Sequence, residues 1–132
     1  MQQARLSGTL RPMMSRLRIA MWSVALVVAM SACASMIKPD VPRPVAGGVR
    51  FTYLAPTAHT VYVVGSFNGW VKGATQMKQE GQTGIWFAEV MLLSGEHTFM
   101  YLVDGKEWVV PPLAEDFVTD GFGQTNGVVI VR

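Results

Sequence analysis

Apolar positions change their rhythm along this chain. Residues 19–37 carry no charged side chain, residues 38–48 are proline-rich and polar, and from Val49 onward apolar and polar positions alternate in short runs. A period of two marks half-buried strands, and Gly, Pro, Asn and Asp between the runs mark turns. Val49–Leu54 is the first predicted strand, ended by Pro56, and Thr60–Val64 is the second. Residues 71–83 are polar and aperiodic, so they read as a loop. Ile85–Leu93 follows, with Trp86, Ala88, Val90 and Leu92 on the face expected to be buried. His97–Val103 is expected to turn Phe99, Tyr101 and Val103 inward and Thr98, Met100 and Leu102 outward. Asp104-Gly105 is a strong hairpin signal, leading into Glu107–Val110, which Pro111-Pro112 closes. After a turn-rich stretch at 121–127, Val128–Val131 is a last strand, apolar on both faces. Six short strands without helical periodicity predict an all-β protein, a β-sandwich. Such a domain buries about two-thirds of its unfolded surface, enough to fold without disulfides or metal. Phe51, Tyr53, Trp86, Phe99 and Tyr101 are its expected bulky core.

The stretch VYVVGSFNGW, Val61 to Trp70, poses the functional question. A β-branched run breaks into a turn and ends on a tryptophan. A large apolar side chain beside a turn either folds back into the core or stands outside as a flat stacking surface.

The N-terminal third reads as an address. Arg5, Arg11, Arg16 and Arg18 precede the uncharged run, the order of a secretory signal. The run ends in Ala29-Met30-Ser31-Ala32-Cys33, which resembles the lipobox of bacterial lipoproteins. That resemblance implies lipidation of Cys33 as the mature N-terminus, although Met30 stands where Leu is most usual. A start at Met13 or Met14 would give a more compact leader. An uncleaved transmembrane helix and ordinary signal cleavage are the alternatives, since 19 uncharged residues approach the ~20 that span a bilayer. In each case the arginines stay cytoplasmic, so the domain is expected outside the cytoplasm; the favoured lipoprotein reading, like the helix reading, places it in the cell envelope, anchored to the membrane through an N-terminal lipid or helix. The expected division is 1–32 signal peptide or membrane anchor, 33–47 proline-rich spacer, and 48–132 folded domain.

Charge sharpens this division. From Cys33 onward seven basic side chains face nine acidic ones, so the sequence pI near 8.9 belongs to the leader. No basic patch remains to neutralise phosphates, which argues against a nucleic-acid partner. The single cysteine excludes an intramolecular disulfide. His59 and His97 have no metal-ligand spacing, so neither metal nor cofactor is expected. Ser66, His97 and Asp104 make a trio only on paper, without a nucleophile-elbow pattern. Glu89, Asp104 and Glu107 are scattered rather than paired across a cleft, and Gly65–Gly69 lacks the Lys-Ser/Thr ending of a phosphate loop. The chain is therefore not expected to be an enzyme.

Aromatic and amide chemistry remains. Pyranose rings stack apolar C–H faces on tryptophan and offer hydroxyls to Asn, Gln and Lys, which makes Trp70 and Trp108 candidates for sugar contact. Four blocks in order, VYVVGSFNGW, WFAEVML, GEHTFMYLVDGKEW and DGFGQTNGVVIV, resemble carbohydrate-binding module family 48, which includes the glycogen-binding domain of the AMP-activated protein kinase β subunit. The resemblance spans about Gly48 to Arg132. It implies an immunoglobulin-like, early-set β-sandwich that binds α-1,4-linked glucan. By the same resemblance Trp70 and Trp108 stack on sugar, Phe122 props it, and Asn126 bonds its hydroxyls. Gln124 and Lys72 are further polar candidates. Three departures stand out: Met100 replaces the family's strand lysine, one extra residue separates the VDG turn from Trp108, and Val110-Pro111-Pro112 replaces the usual Asp-Pro. The expected function is a non-catalytic, envelope-anchored module for α-glucan or another glycan. The alternative is a structural or protein-interaction module at the envelope, its tryptophans meeting a protein partner.

Overall fold

The computed structural model describes residues 38–132. The expected leader and Cys33 lie outside the described residues. Among the described residues nine strands form two antiparallel sheets: β1 (Arg43–Val45), β2 (Gly48–Leu54), β3 (Val61–Gly65), β4 (Lys78–Gln79), β5 (Ile85–Val90), β6 (Gly95–Val103), β7 (Glu107–Val109), β8 (Asp116–Thr119) and β9 (Thr125–Val131). One sheet runs β1-β2-β5-β4. The other runs β3-β6-β9-β8, with β7 also paired to β6. The expected all-β, immunoglobulin-like sandwich is the observed architecture.

Aromatic side chains join the sheets. Phe51 of β2 meets Phe99 of β6 edge-on at 4.9 Å between centroids, and Tyr53 stacks on Tyr101 at 4.7 Å. Such geometries add to area burial. Trp86 is buried and satisfies its indole N–H on the Ala55 carbonyl at 2.9 Å. The buried Tyr101 hydroxyl donates to the Thr52 carbonyl, and burial pushes its ionisation far above the ordinary phenol range.

The structure departs from the sequence expectation in three places that shape the site. Met100 and Leu102, expected outward, are buried, as are Phe99, Tyr101 and Val103. The reason lies across the strands: Leu102 is paired with Tyr62 on one side and Trp108 on the other, and Met100 with Val64. Opposed residues of a ladder share a face at contact distance, so these neighbours cover the outer side of β6. Next, the loop at 71–83 is partly structured. Met77 donates its N–H to the Val61 carbonyl at 2.8 Å and enters the core, and Lys78–Gln79 pair with β5. Finally, part of the expected spacer, Arg43–Val45, is an edge strand on β2, with Pro44 opposite Val49. An edge tolerates proline because its missing N–H faces no partner. Upstream, the Asp40 N–H donates to Thr52 Oγ1 at 2.9 Å, and that hydroxyl donates to the Asp40 carbonyl at 3.1 Å.

The β6–β7 turn depends on Asp104. Asp104 and Gly105 both adopt left-handed φ, +51° and +68°, as a type I′ turn requires. The Asp104 carboxylate accepts the Thr60 and His59 N–H groups at 3.0 and 2.7 Å, which holds its pKa below the ordinary carboxylate value. A carboxyl with a lowered folded pKa stabilises the fold above its unfolded pKa and loses that contribution as pH falls. Asp104→Asn keeps an acceptor oxygen and removes the charge. Urea unfolding followed between pH 7 and pH 2 is expected to show the variant less stable at pH 7 and flatter in its acid loss below about pH 4; parallel curves would contradict the role of the charge.

Candidate functional site

The turn after β3 is fixed by one side chain. Asn68 Oδ1 accepts the Gly65 N–H at 3.0 Å, while its Nδ2 donates to the Val63 carbonyl at 3.0 Å and to Thr75 Oγ1 at 3.2 Å. Residues 66–68 form a single 3-10 turn. Gly65 is required there, because a Cβ would collide with the Thr98 carbonyl oxygen and lie 2.7 Å from the Phe67 ring. The chain then passes through left-handed Gly69 and Trp70, at φ +65° and +61°. Left-handed backbone is uncommon for a bulky side chain, and Trp70 is held in it by donating its N–H to the Gly65 carbonyl at 2.9 Å.

Trp108 comes from the opposite direction. It lies on β7 across from Leu102, and in the turn before it Lys106 donates its N–H to the Val103 carbonyl at 3.1 Å. A third element, the β8–β9 hairpin, turns on Asp120, whose Oδ1 accepts the N–H groups of Phe122 and Gln124 at 2.8 and 2.9 Å.

These elements converge on one cavity of about 340 Å³, lined by Trp70, Met100, Trp108, Asp120, Gln124 and Asn126. The volume is within the ordinary range for ligand sites, ~300–1,000 Å³. Trp70 and Trp108 are 38% and 37% exposed, so each buries one part of its ring and presents another. Asn126 is only 5% exposed. Among the described residues no hydrogen bond to its amide is found, and no fully enclosed side-chain polar atom lacks a partner; the amide therefore opens on the cavity. A buried amide that faces a cavity suits a hydroxyl ligand.

Four expected residues, Trp70, Trp108, Gln124 and Asn126, are thus brought together. Phe122 stands outside the lining on the hairpin tip, 98% exposed. Lys72 is also outside the lining, its Nζ 5.5 Å from the centre of the Trp108 ring. Sequence reasoning missed Asp120, although the Asp120-Gly121 pair opening the turn was a signal for it. The trio of Ser66, His97 and Asp104 is not assembled. Ser66 Oγ accepts the Thr98 N–H, the His97 ring bonds the Leu93 carbonyl, and Asp104 lies seven residues beyond His97 in the turn after β6, roughly 20 Å away at strand rise.

Residues 48–132 match the family model described as the glycogen recognition site of AMP-activated protein kinase. The chain belongs to this glycogen-recognition family. Carbohydrate binding is accordingly the chemistry of the cavity's family. Among relatives, the chain is 39% identical over 64 residues to a 1,4-alpha-glucan branching enzyme of Pseudomonas syringae pv. tomato, a match covering 48% of this chain and 9% of the enzyme. It is 35% identical over 68 residues to that of Pseudomonas aeruginosa, covering 52% and 9%. A 50% identical stretch of 40 residues in a Clostridium perfringens branching enzyme covers 30% of this chain and 6% of the enzyme. The chain thus matches about a tenth or less of the length of these relatives.

The left-handed Trp70 yields a stability test. Trp70→Gly and Trp70→Ala both remove the ring, but only glycine relieves the backbone, so Trp70→Gly is expected to be more stable by about 1 kcal/mol in urea unfolding. Equal stabilities would show that the backbone relaxes once the ring is gone.

Proposed function

We propose that this protein is a non-catalytic carbohydrate-binding module for α-1,4-linked glucan chains, anchored in the cell envelope by a lipid on Cys33. The observation that carries the reading is the convergence of two half-exposed tryptophans with a buried Asn126 amide on one cavity. The rings supply flat apolar surface for the C–H faces of pyranoses, and Asn126 and Gln124 supply donors and acceptors for their edges. Met100 forms an apolar part of the lining, while Lys72 stands outside it, so the lining holds no cation. A neutral polyhydroxyl chain suits these walls better than a phosphorylated ligand. The relatives' names support the choice of α-glucan, since each is a 1,4-alpha-glucan branching enzyme. A binding role without catalysis fits the small share of those enzymes that the match covers.

The detergent-solubilised full chain is expected to be retarded in native gels containing glycogen or amylopectin. Trp70→Ala, Trp108→Ala and Asn126→Ala are each expected to reduce retardation, the tryptophans about tenfold or more, on the scale of stacking losses of ~1–3 kcal/mol per ring. An unretarded wild type would overturn the glucan reading. Retardation unaffected by all three substitutions would move the site elsewhere.

Anchoring rests on the run of 19 uncharged residues behind four arginines and on the small residues before Cys33. Metabolic labelling with palmitate is expected to mark the wild type and to fail for Cys33→Ser; labelling of the variant would refute the lipid anchor.

A further inference from the structure

The Lys72 ammonium has no role in the cavity as described, and its position is specific. It lies 5.5 Å from the centre of the Trp108 ring, within cation–π range, yet does not line the cavity that Trp108 bounds. The ammonium thus contacts the indole while standing outside the lining itself. Trp108 needs such support. Its strand, β7, has three residues and pairs only with β6, and both flanking side chains, Glu107 and Val109, are at least partly exposed. Lys72, by contrast, follows two residues after Trp70, on the turn that Asn68 holds to Val63, Gly65 and Thr75. The loop that Asn68 closes thus reaches across to an indole carried on a three-residue strand.

We propose that Lys72 is a positioning residue: its ammonium braces the Trp108 indole and couples the two tryptophans, so that both present their rings to one ligand. Its consequence for affinity rests on the glucan reading above; the brace itself does not. The ammonium touches no ligand in this role. Met at 72 keeps a stem of similar length without the charge, and Arg keeps a cation that also favours aromatic faces.

The test has two arms, both on the full chain in detergent micelles. Without ligand, ¹⁵N relaxation of the Trp108 indole N–H reports the order of the ring on the ps–ns scale. Lys72→Met is expected to lower that order and Lys72→Arg to preserve it. With maltoheptaose as probe, calorimetric titration is expected to show Lys72→Met weaker by roughly two- to fivefold, the scale of an exposed cation–π contact, and Lys72→Arg close to wild type. Unchanged indole order in Lys72→Met overturns the brace even if affinity falls, because the lysine would then act on the sugar directly. Lower order with unchanged or tighter binding overturns the positioning role. If the wild type binds no maltoheptaose, the glucan reading fails, and the ligand-free arm still decides the brace.

Discussion

The Asn68 side chain is the constraint on which the cavity-bearing face depends. Its three hydrogen bonds join the end of β3, the following turn and Thr75, three pieces of chain that diverge immediately afterwards. At about 1 kcal/mol net for each bond, they outweigh the ~1–2 kcal/mol that a left-handed tryptophan costs. The turn stays closed, and Trp70 is delivered to the outer face of the sheet rather than into the core. The strained backbone is thus a consequence of where the ring must stand, with the restraint supplied by a neighbouring amide.

That delivery changes the character of the five-stranded sheet. Its inner face carries Phe99 and Tyr101 against Phe51 and Tyr53 of the other sheet. Its outer face would normally meet water, yet Met100 and Leu102 are as buried there as core residues. Trp70 and Trp108 stand over this second, smaller apolar layer and inherit its rigidity. A stacking surface loses least on binding when its rings are already ordered. The half-exposed tryptophans are therefore best understood as the rim of a packed layer, with Asn126 as the polar group set into it.

Much of this was legible in the sequence, and the failures have physical causes. The alternating stretch 49–54 and the mostly apolar stretch 97–103 appear close to their expected bounds as β2 and β6. The Asp104-Gly105 turn was readable because few residue pairs tolerate two left-handed positions in succession. Trp70 and Trp108 were candidates from their aromatic chemistry, and block resemblance added Asn126 and Gln124; all four line one cavity. Asp116–Thr119 gave no signal, since all four residues of β8 are exposed and an edge strand without a buried side has no alternation to show. Met77 was lost in a polar stretch because a single core residue makes no period. The burial of Met100 and Leu102 was illegible for a deeper reason: what covers them comes from other strands, and cross-strand neighbours are set by register rather than by local sequence.

Charge completes the physical picture of the cavity. Asp120 directs one carboxylate oxygen to two backbone N–H groups, and Lys72 stands outside the lining with its ammonium 5.5 Å from the centre of the Trp108 ring. The lining consists of π-faces, a thioether, two amides and one carboxylate. An ionic ligand would have to shed its hydration against walls that offer no countercharge for an anion, whereas a sugar exchanges weakly held water for stacking and amide hydrogen bonds of comparable strength.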